Sequence, residues 1–200
     1  MSTIRLTAAQ ALIKYLEQQY IESESGVEAI FAGAFAIFGH GNVAGLGEAL
    51  YQQRKNFPTY RAHNEQGMAH AAIAFAKQHK RRKMMMCTTS IGPGATNMVT
   101  AAALAHVNRL PVLFVPGDTF ANRTPDPVLQ QVECFNDPNI SANDCFKPVS
   151  RYFDRINRPE QLIHSLPVVM QTLLDPVNCG PVTLGMPQDV QTMAFDFPCQ

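Results

Sequence analysis

The residue of this chain with the clearest chemical potential is Glu65, an acid at the start of a helix that is otherwise rich in alanine. It follows a short apolar run at residues 59–62, and Asn64 directly before it is a preferred helix N-cap. A glycine-rich turn at residues 92–97 joins the next apolar run to the next helix. One βαβ unit separates the two features, and a glutamate at the start of a helix can give and accept protons.

Simpler interpretations of both features stay open. A first-turn acid such as Glu65 is stabilised by the helix dipole whether or not it takes part in a reaction. The turn looks at first like a nucleotide-binding loop, in which glycine amides approach a phosphate. That match fails, because Asn97 replaces the third glycine and Leu110 stands where the ribose-binding acid is expected. Glycine and proline also mark ordinary α/β turns, so the turn could be purely structural.

Histidine is the side chain whose ordinary pKa lies nearest to neutral pH. His40 lies between two glycines at the end of an apolar run, which makes it the best candidate to meet a substrate as a hydrogen-bond donor or an acid. An ordinary loop histidine fits the same position equally well. His63 and His70 flank Glu65, and packing roles are favoured for both because one reaction rarely needs three histidines.

Composition limits the class of protein. A chain of 200 residues, 46% of them apolar, can bury one good core, so we predict one main domain. The 16 basic and 16 acidic residues cancel, which argues against nucleic acid or a membrane as partner and favours a small molecule or a protein. The five cysteines are widely spaced without a CxxC pair, which predicts reduced thiols, no metal site and a cytoplasmic protein. The sequence contains no leader pattern and no apolar run long enough to cross a bilayer.

Apolar runs typical of strands alternate with helical periodicity along the chain, which is the pattern of a parallel sheet covered by helices on both faces. We therefore predict an α/β three-layer sandwich with about six mostly parallel strands. Thr7 and Gln10 are predicted to form a capping box. The expected strands lie near residues 29–36, 59–62, 84–89, 112–115, 150–156 and 182–185, and the expected helices near residues 7–19, 43–53, 65–79, 95–108 and 159–174.

Two segments lack this periodicity. Residues 117–147 are rich in Asp, Asn and Pro, and a loop of that length is expected to be functional. Residues 187–200 are predicted to form an extended exit strand or linker, which leaves residues 1–186 as the domain. Because Phe195 and Phe197 would be exposed on such a linker, we expect a following domain to cover them.

Four motifs occur in an order that is similar to one enzyme family. They are FGHGNVAGLGEAL at residues 38–50, EQG at 65–67, TSIGPGATN at 89–97 and GDTFANR at 117–123. Over nearly its whole length the chain resembles the N-terminal, pyrimidine-binding domain of the acetolactate-synthase superfamily of thiamine diphosphate enzymes. The variants around His40 and Asp118 are most similar to the branch that hydrolyses a cyclic diketone in inositol catabolism.

The resemblance implies a cofactor and roles for particular residues. Glu65 would be catalytic, because a carboxyl group at the aminopyrimidine ring of thiamine diphosphate activates this cofactor. His40 would be a second catalytic residue. Residues implied to contact the cofactor are Glu65, Gly92, Pro93, Gly94 and Asn97, and those implied to contact the substrate are His40, Asn42 and Gln130.

The resemblance also implies partners. The chain lacks the GDG…N motif that binds the diphosphate and Mg²⁺ in this family, so both would be held by a separate domain of a neighbouring subunit. A homodimer or tetramer follows, in which this chain alone is inactive and the full protein opens the ring of a cyclic diketone. Two alternatives stay open: another decarboxylase or ligase of the superfamily, and a non-catalytic nucleotide-binding or scaffold module.

Overall fold

The computed structural model describes residues 2–23, 26–125 and 127–199. Its strands are β1 (Thr3–Thr7), β2 (Tyr20–Ser23), β3 (Gly26–Ala29), β4 (Phe31–Ile37), β5 (Thr59–Arg61), β6 (Met84–Thr89), β7 (Leu113–Asp118), β8 (Tyr152–Arg155), β9 (Val182–Pro187) and β10 (Ala194–Pro198). Its α-helices are α1 (Ala8–Glu17), α2 (Glu48–Gln52), α3 (Glu65–Gln78), α4 (Pro93–Thr96), α5 (Val99–Asn108), α6 (Leu162–Leu174) and α7 (Gln188–Gln191). A π-helical segment at Val43–Gly47 and 3-10 helices at Ala142–Val149 and Pro159–Gln161 complete the elements.

The central sheet has six strands in the order β5-β4-β6-β7-β9-β8, and every pair is parallel. Strands β6, β7 and β9 are buried along their whole length, as expected when helices cover both faces of a sheet. The six predicted strands are thereby confirmed. Strand β7 runs further than predicted, because Gly117 and Asp118 still pair with β9.

Helices cover both faces of this sheet. Because neighbouring side chains of a strand point to opposite faces, β6 contributes to two separate cores. Met84 and Met86 pack with α1, α2 and α6, whereas Met85 and Cys87 pack with α3 and α5. This arrangement is the three-layer α/β sandwich that the sequence predicts.

The predicted helices are confirmed with local differences. Gln10 N donates to Thr7 Oγ1 at 3.1 Å and Thr7 N donates to Gln10 Oε1 at 2.9 Å, so the capping box forms. The helix predicted at residues 43–53 is π-helical in its first half, and the one at residues 159–174 begins with a 3-10 turn. The helix predicted at residues 95–108 is divided into α4 and α5.

The segment 187–200 contains the extended strand predicted there, but that strand packs back on the chain. Strand β10 pairs with β1 in antiparallel fashion, with Phe197 opposite Ile4. Phe197 is only 7% exposed and joins the core, while Phe195 is half-buried with its ring 5.2 Å from that of Phe197. The expectation that both rings are exposed is therefore wrong. Gln200, the last residue of the predicted linker, lies outside the described residues.

The β1–β10 pair and an antiparallel β2–β3 hairpin are additions to the predicted architecture. Of the helices that the structure describes, none combines the length and the apolar character needed to span a membrane.

Candidate active site

The candidate site lies between β4 and β6, where the connections that follow the two strands run in opposite directions along the sheet. Strands β4 and β6 are neighbours in the sheet, but the chain leaves β4 toward the face that carries α2 and leaves β6 toward the face that carries α5. In open α/β sheets ligands bind in the crevice that such divergent loops create at the carboxyl ends of the strands. Here the crevice is an open cleft of about 640 Å³. Its lining includes Ile37, Phe38, Gly39, Glu65, Ser90, Ile91, Pro93, Gly94, Thr96, Asn97 and Gln130.

Glu65 is the acid in this cleft. It is half-buried as the first residue of α3, after Asn64, whose side chain caps the helix by accepting from Gly67 N at 2.8 Å. The Asn97 Nδ2 donates to Glu65 Oε2 at 2.8 Å, which fixes one carboxylate oxygen. The other oxygen, Oε1, lies 3.4 Å from where a Cβ on Gly94 would stand. The structure thus brings Glu65, Gly94 and Asn97 together, as the family resemblance implies.

Gly92 is required by the way the turn packs. Its φ is +66°, a conformation that side chains disfavour, and a Cβ on it would overlap the carbonyl oxygen of Gln130. The space beside Gly92 is thus taken by backbone of the segment 119–140, which joins β7 to the 3-10 helix Ala142–Val149 and is described at residues 119–125 and 127–140. The contact with the cofactor implied for Gly92 stays a prediction. Gln130 has a left-handed φ of +60°, and this exposed residue lines the cleft.

His40 lies in the loop after β4 and also contacts the segment 119–140. Its Nε2 and the carbonyl oxygen of Leu129 are 2.8 Å apart. Because a carbonyl oxygen can only accept, Nε2 is the donor of this hydrogen bond. His40 does not line the Glu65 cleft, although the adjacent Gly39 does.

Asn42 is buried and hydrogen-bonded within the protein, and its predicted contact with a substrate stays a prediction. It is only 1% exposed, its Nδ2 donates to Thr88 Oγ1 at 3.1 Å and its Oδ1 accepts from Gly39 N at 3.0 Å. Thr88 Oγ1 in turn donates to Val115 O at 2.7 Å. Both ends of the Asn42 amide are therefore used to fasten the loop after β4 to the sheet.

Gln191 supports the same loop and carries no recognisable signal in the sequence. This residue of α7 is 1% exposed, accepts from Leu46 N at 3.2 Å and donates to both Gly41 O and Met186 O at 2.9 Å. A buried side chain amide with three partners is costly to disturb. Its partner Leu46 is 145 residues away, so no local motif reveals the contact.

The other titratable candidates stand apart from the cleft. His63 is exposed, so the packing role favoured for it is wrong, and His70 is half-buried on α3. All five cysteines are free thiols, and burial raises the pKa of the Cys87 thiol far above its usual range, which makes it unreactive. Among the described residues no group of three His, Cys, Asp or Glu side chains is arranged to hold a metal ion.

Comparison with known proteins gives two results. The sequence model of the family described as thiamine pyrophosphate enzyme, N-terminal TPP binding domain, matches residues 6–137. This range contains all four motifs singled out above.

The chain is also similar to curated bacterial enzymes. It is 56% identical to the 3D-(3,5/4)-trihydroxycyclohexane-1,2-dione hydrolase of Clostridium tetani. It is 54% identical to the corresponding hydrolase 2 of Bacillus cereus and to the hydrolase of Bacillus anthracis. Each alignment covers 99% of this chain but 31% of the relative, so the chain spans less than a third of their length.

Proposed function

The chain belongs to the family of thiamine pyrophosphate enzymes, as their N-terminal TPP binding domain, and from this we propose that Glu65 is the residue that activates the aminopyrimidine of the cofactor. The observation that carries the proposal is the carboxylate of Glu65 in the cleft between β4 and β6, with one oxygen fixed by Asn97. Ligands of open α/β sheets bind at this type of crevice.

The residues of the cleft fit an aminopyrimidine ring. Ile37, Phe38 and Ile91 provide apolar surface for a flat ring, and Glu65 provides a carboxylate for a ring nitrogen. Gly94 leaves open the space next to Oε1 that a side chain would fill. When bound, thiamine diphosphate supplies a nucleophilic carbon that can add to a ketone.

Asn97 determines which oxygen of Glu65 can act. Because the Asn97 amide donates to Oε2, that oxygen is committed within the protein, and Oε1 is left to exchange a proton with a ring nitrogen. The hydrogen bond also holds the carboxylate in one orientation, which lowers the entropic cost of reaching a reactive geometry. Asn97 is then a positioning residue, with Pro93 and Gly94 contacting the cofactor.

For the full-length protein we infer the hydrolysis of a carbon–carbon bond in the ring of trihydroxycyclohexane-1,2-dione, a step of inositol catabolism. Support comes from the 54–56% identity to hydrolases of that name. His40 and Gln130 are the proposed substrate contacts, since His40 contacts Leu129 and the next residue, Gln130, lines the cleft. His40 is also a proposed acid or base, because an imidazole can donate a proton from one ring nitrogen and accept one at the other.

Residues 1–186 are the proposed pyrimidine-binding domain and residues 187–200 the connection to a following domain. The diphosphate and Mg²⁺ are assigned by the same proposal to a domain of a neighbouring subunit in a homodimer or tetramer.

An uncharged surface on α3 and α5 supports such an assembly. Between Glu65 and Lys77, α3 carries no Asp, Glu, Lys or Arg, and α5 carries none at all.

The test is deuterium exchange at C2 of thiamine diphosphate, followed by proton NMR on the full-length protein with Mg²⁺. Glu65→Gln should lower the exchange rate by about 10²-fold or more while the cofactor stays bound, because a general acid–base group contributes on that scale. The matched control is Glu48→Gln, since Glu48 is also the first residue of a helix but is exposed and lies outside the cleft. Its exchange rate should equal that of the wild type.

Equal rates for Glu65→Gln and the wild type would remove Glu65 from cofactor activation. A wild-type protein that binds no thiamine diphosphate would favour the scaffold interpretation. Normal cofactor activation without turnover of the cyclic diketone would leave Glu65 in place and point to a decarboxylase or ligase of the same superfamily.

A further inference from the structure

One guanidinium group joins both ends of the segment 119–140. Arg155, at the end of β8, donates from Nε to Asp118 Oδ2 at 2.9 Å, at the end of β7 where the segment begins. From Nη2 it donates to Ser141 Oγ at 2.6 Å and Asp144 Oδ1 at 2.7 Å, where the segment ends in a 3-10 helix. Ser141 and Asp144 also form the capping box of that helix.

The ion pair between Arg155 and Asp118 joins two strands that are not neighbours in the sheet. Strand β9 lies between β7 and β8, and Arg155 is paired in register with Gly185 of β9. A Cβ on Gly185 would overlap Asp118 Oδ2. Glycine at this position therefore leaves the room in which Arg155 and Asp118 meet.

The group is mostly shielded from water. The exposed fractions of the side chains are 18% for Arg155, 1% for Asp118 and 17% for Asp144. Burial alone would lower the pKa of Arg155, but the charges of Asp118 and Asp144 outweigh it and hold that pKa above its usual value. The second oxygen of Asp118 accepts from Thr119 N at 2.7 Å. Charges buried with their hydrogen bonds satisfied are strongly coupled, so removing one partner is costly.

The middle of the segment lies against loops of the candidate site. Leu129 O accepts from His40, the backbone of Gln130 packs on Gly92, and the Gln130 residue lines the cleft. Within the segment, Phe120 N donates to Gln131 Oε1 at 3.3 Å, which links its two sides. Gln130 thus lines the same cleft as Glu65 and belongs to the segment whose two ends Arg155 contacts.

We infer that Arg155 is a positioning residue of the active site, which sets the place of Gln130 and His40 for the substrate by fastening both ends of the segment 119–140. It does not line the cleft, so it acts through the segment. This inference rests on the proposed function and adds to it a determinant of substrate binding that is separate from cofactor activation.

The test uses Arg155→Lys in the full-length protein. Lysine keeps the charge but lacks the planar fork that reaches several acceptors at once. Without cofactor or substrate, backbone amides of residues 119–140 should exchange with deuterium about tenfold faster than in the wild type. In the holoenzyme the KM for the cyclic diketone should rise about tenfold, while kcat and the C2 exchange rate measured without substrate stay within about twofold.

Arg158→Lys is the matched control. Arg158 lies three residues away, its side chain is 76% exposed, and it pairs only with Glu160 in the described residues. Its amide exchange, KM and C2 exchange should match the wild type. Asp144→Asn is a second variant, which keeps Arg155 and weakens only its contact at the C-terminal end of the segment. It should change the amide exchange and the KM in the same direction as Arg155→Lys but by a smaller factor.

The inference would be overturned if Arg155→Lys and Asp144→Asn both left the amide exchange of residues 119–140 unchanged. So would a C2 exchange rate that falls as much as KM rises, since this would mean a general loss of structure. A wild-type enzyme that does not act on the diketone would instead overturn the proposed reaction, and amide exchange would still decide whether Arg155 holds the segment.

Discussion

At the scale of single residues, two glycines of the turn at residues 92–97 are required for different reasons. Gly92 has a positive φ and no space for a side chain, because the backbone of Gln130 packs on it. Gly94 has an ordinary φ, and a Cβ there would meet Glu65 Oε1 at 3.4 Å, a normal contact distance. The first glycine therefore serves the fold, and the second serves the space beside the carboxylate.

Alanine at each position should separate these roles. Gly92→Ala should lower the free energy of unfolding by more than about 1–3 kcal/mol, because the usual cost of a strained backbone conformation is increased by the overlap with the Gln130 carbonyl. Gly94→Ala should leave that free energy nearly unchanged and raise the Kd for thiamine diphosphate by about tenfold, since the methyl group enters the space proposed for the aminopyrimidine. Urea unfolding and calorimetric titration of the full-length protein measure the two quantities. A Gly94→Ala protein that binds the cofactor like the wild type would contradict the proposed position of the ring.

The sequence reveals residues whose roles follow from local spacing. Glu65 and Gly94 stand at strand-to-helix junctions that the sequence marks locally, and the family resemblance implies their proximity. Arg155 and Asp118 are 37 residues apart and meet across an intervening strand, which no local pattern encodes. The burial of Asn42 is unpredictable for a related reason: a polar residue in a loop is usually exposed, and its burial depends on the distant Thr88.

At the scale of elements, the 3-10 helix Ala142–Val149 should depend on pH through Asp144. Burial alone would raise the pKa of Asp144, but hydrogen bonds from Arg155, the Ser141 amide and Lys147 outweigh it, so that this pKa is lowered in the folded protein. A lowered carboxyl pKa stabilises the fold at all pH values above the unfolded pKa, which is about 3.9. The contribution is lost as pH falls below that value and through the pKa of the folded state.

The thermal midpoint of Asp144→Asn should therefore lie below that of the wild type by a constant amount from pH 7 to about pH 5, and the difference should shrink below about pH 4. Asp196→Asn serves as the control, because its salt bridge with Arg5 is exposed and contributes little. A difference for Asp144→Asn that persists unchanged at pH 3 would show that its charge is not what stabilises this element.

Elements with a strong apolar pattern are the ones that the sequence predicts well. Strands such as β6 are continuous apolar runs, and the run can be seen without knowledge of the partner strand. Strand β1 has mixed character, with polar and apolar residues alternating over five positions, and its partner β10 lies at the other end of the chain. Only the pairing makes it a strand, which is why it was absent from the prediction.

At the scale of the whole molecule, the uncharged surface of α3 and α5 is the proposed contact with a second copy. Ala71 and Ala74 are exposed on α3, and on α5 Leu104 and Val107 are 41% and 74% exposed. Exposed apolar surface without charge is more typical of an interface than of a surface that faces water.

Val107→Glu should therefore weaken assembly of the full-length protein, because a buried carboxylate without a partner is costly. Sedimentation equilibrium should show the oligomer dissociating at a protein concentration at least about tenfold higher than for the wild type. Gln52→Glu, an equivalent change on the exposed end of α2, should have no effect on assembly. An oligomer of Val107→Glu as tight as the wild type would exclude this surface as the contact.

The β1–β10 pair also determines how the molecule responds to tension. Thr3 is paired with Pro198, and Cys199 N donates to Ser2 O at 3.0 Å, so the two strands meet at their outer ends. A pull between Ser2 and Cys199 would load the antiparallel rungs one after another, as in a zipper, and not all together in shear. The two-stranded ribbon would thus peel open at low force, and the parallel sheet with its cleft would stay unloaded until the ribbon had separated.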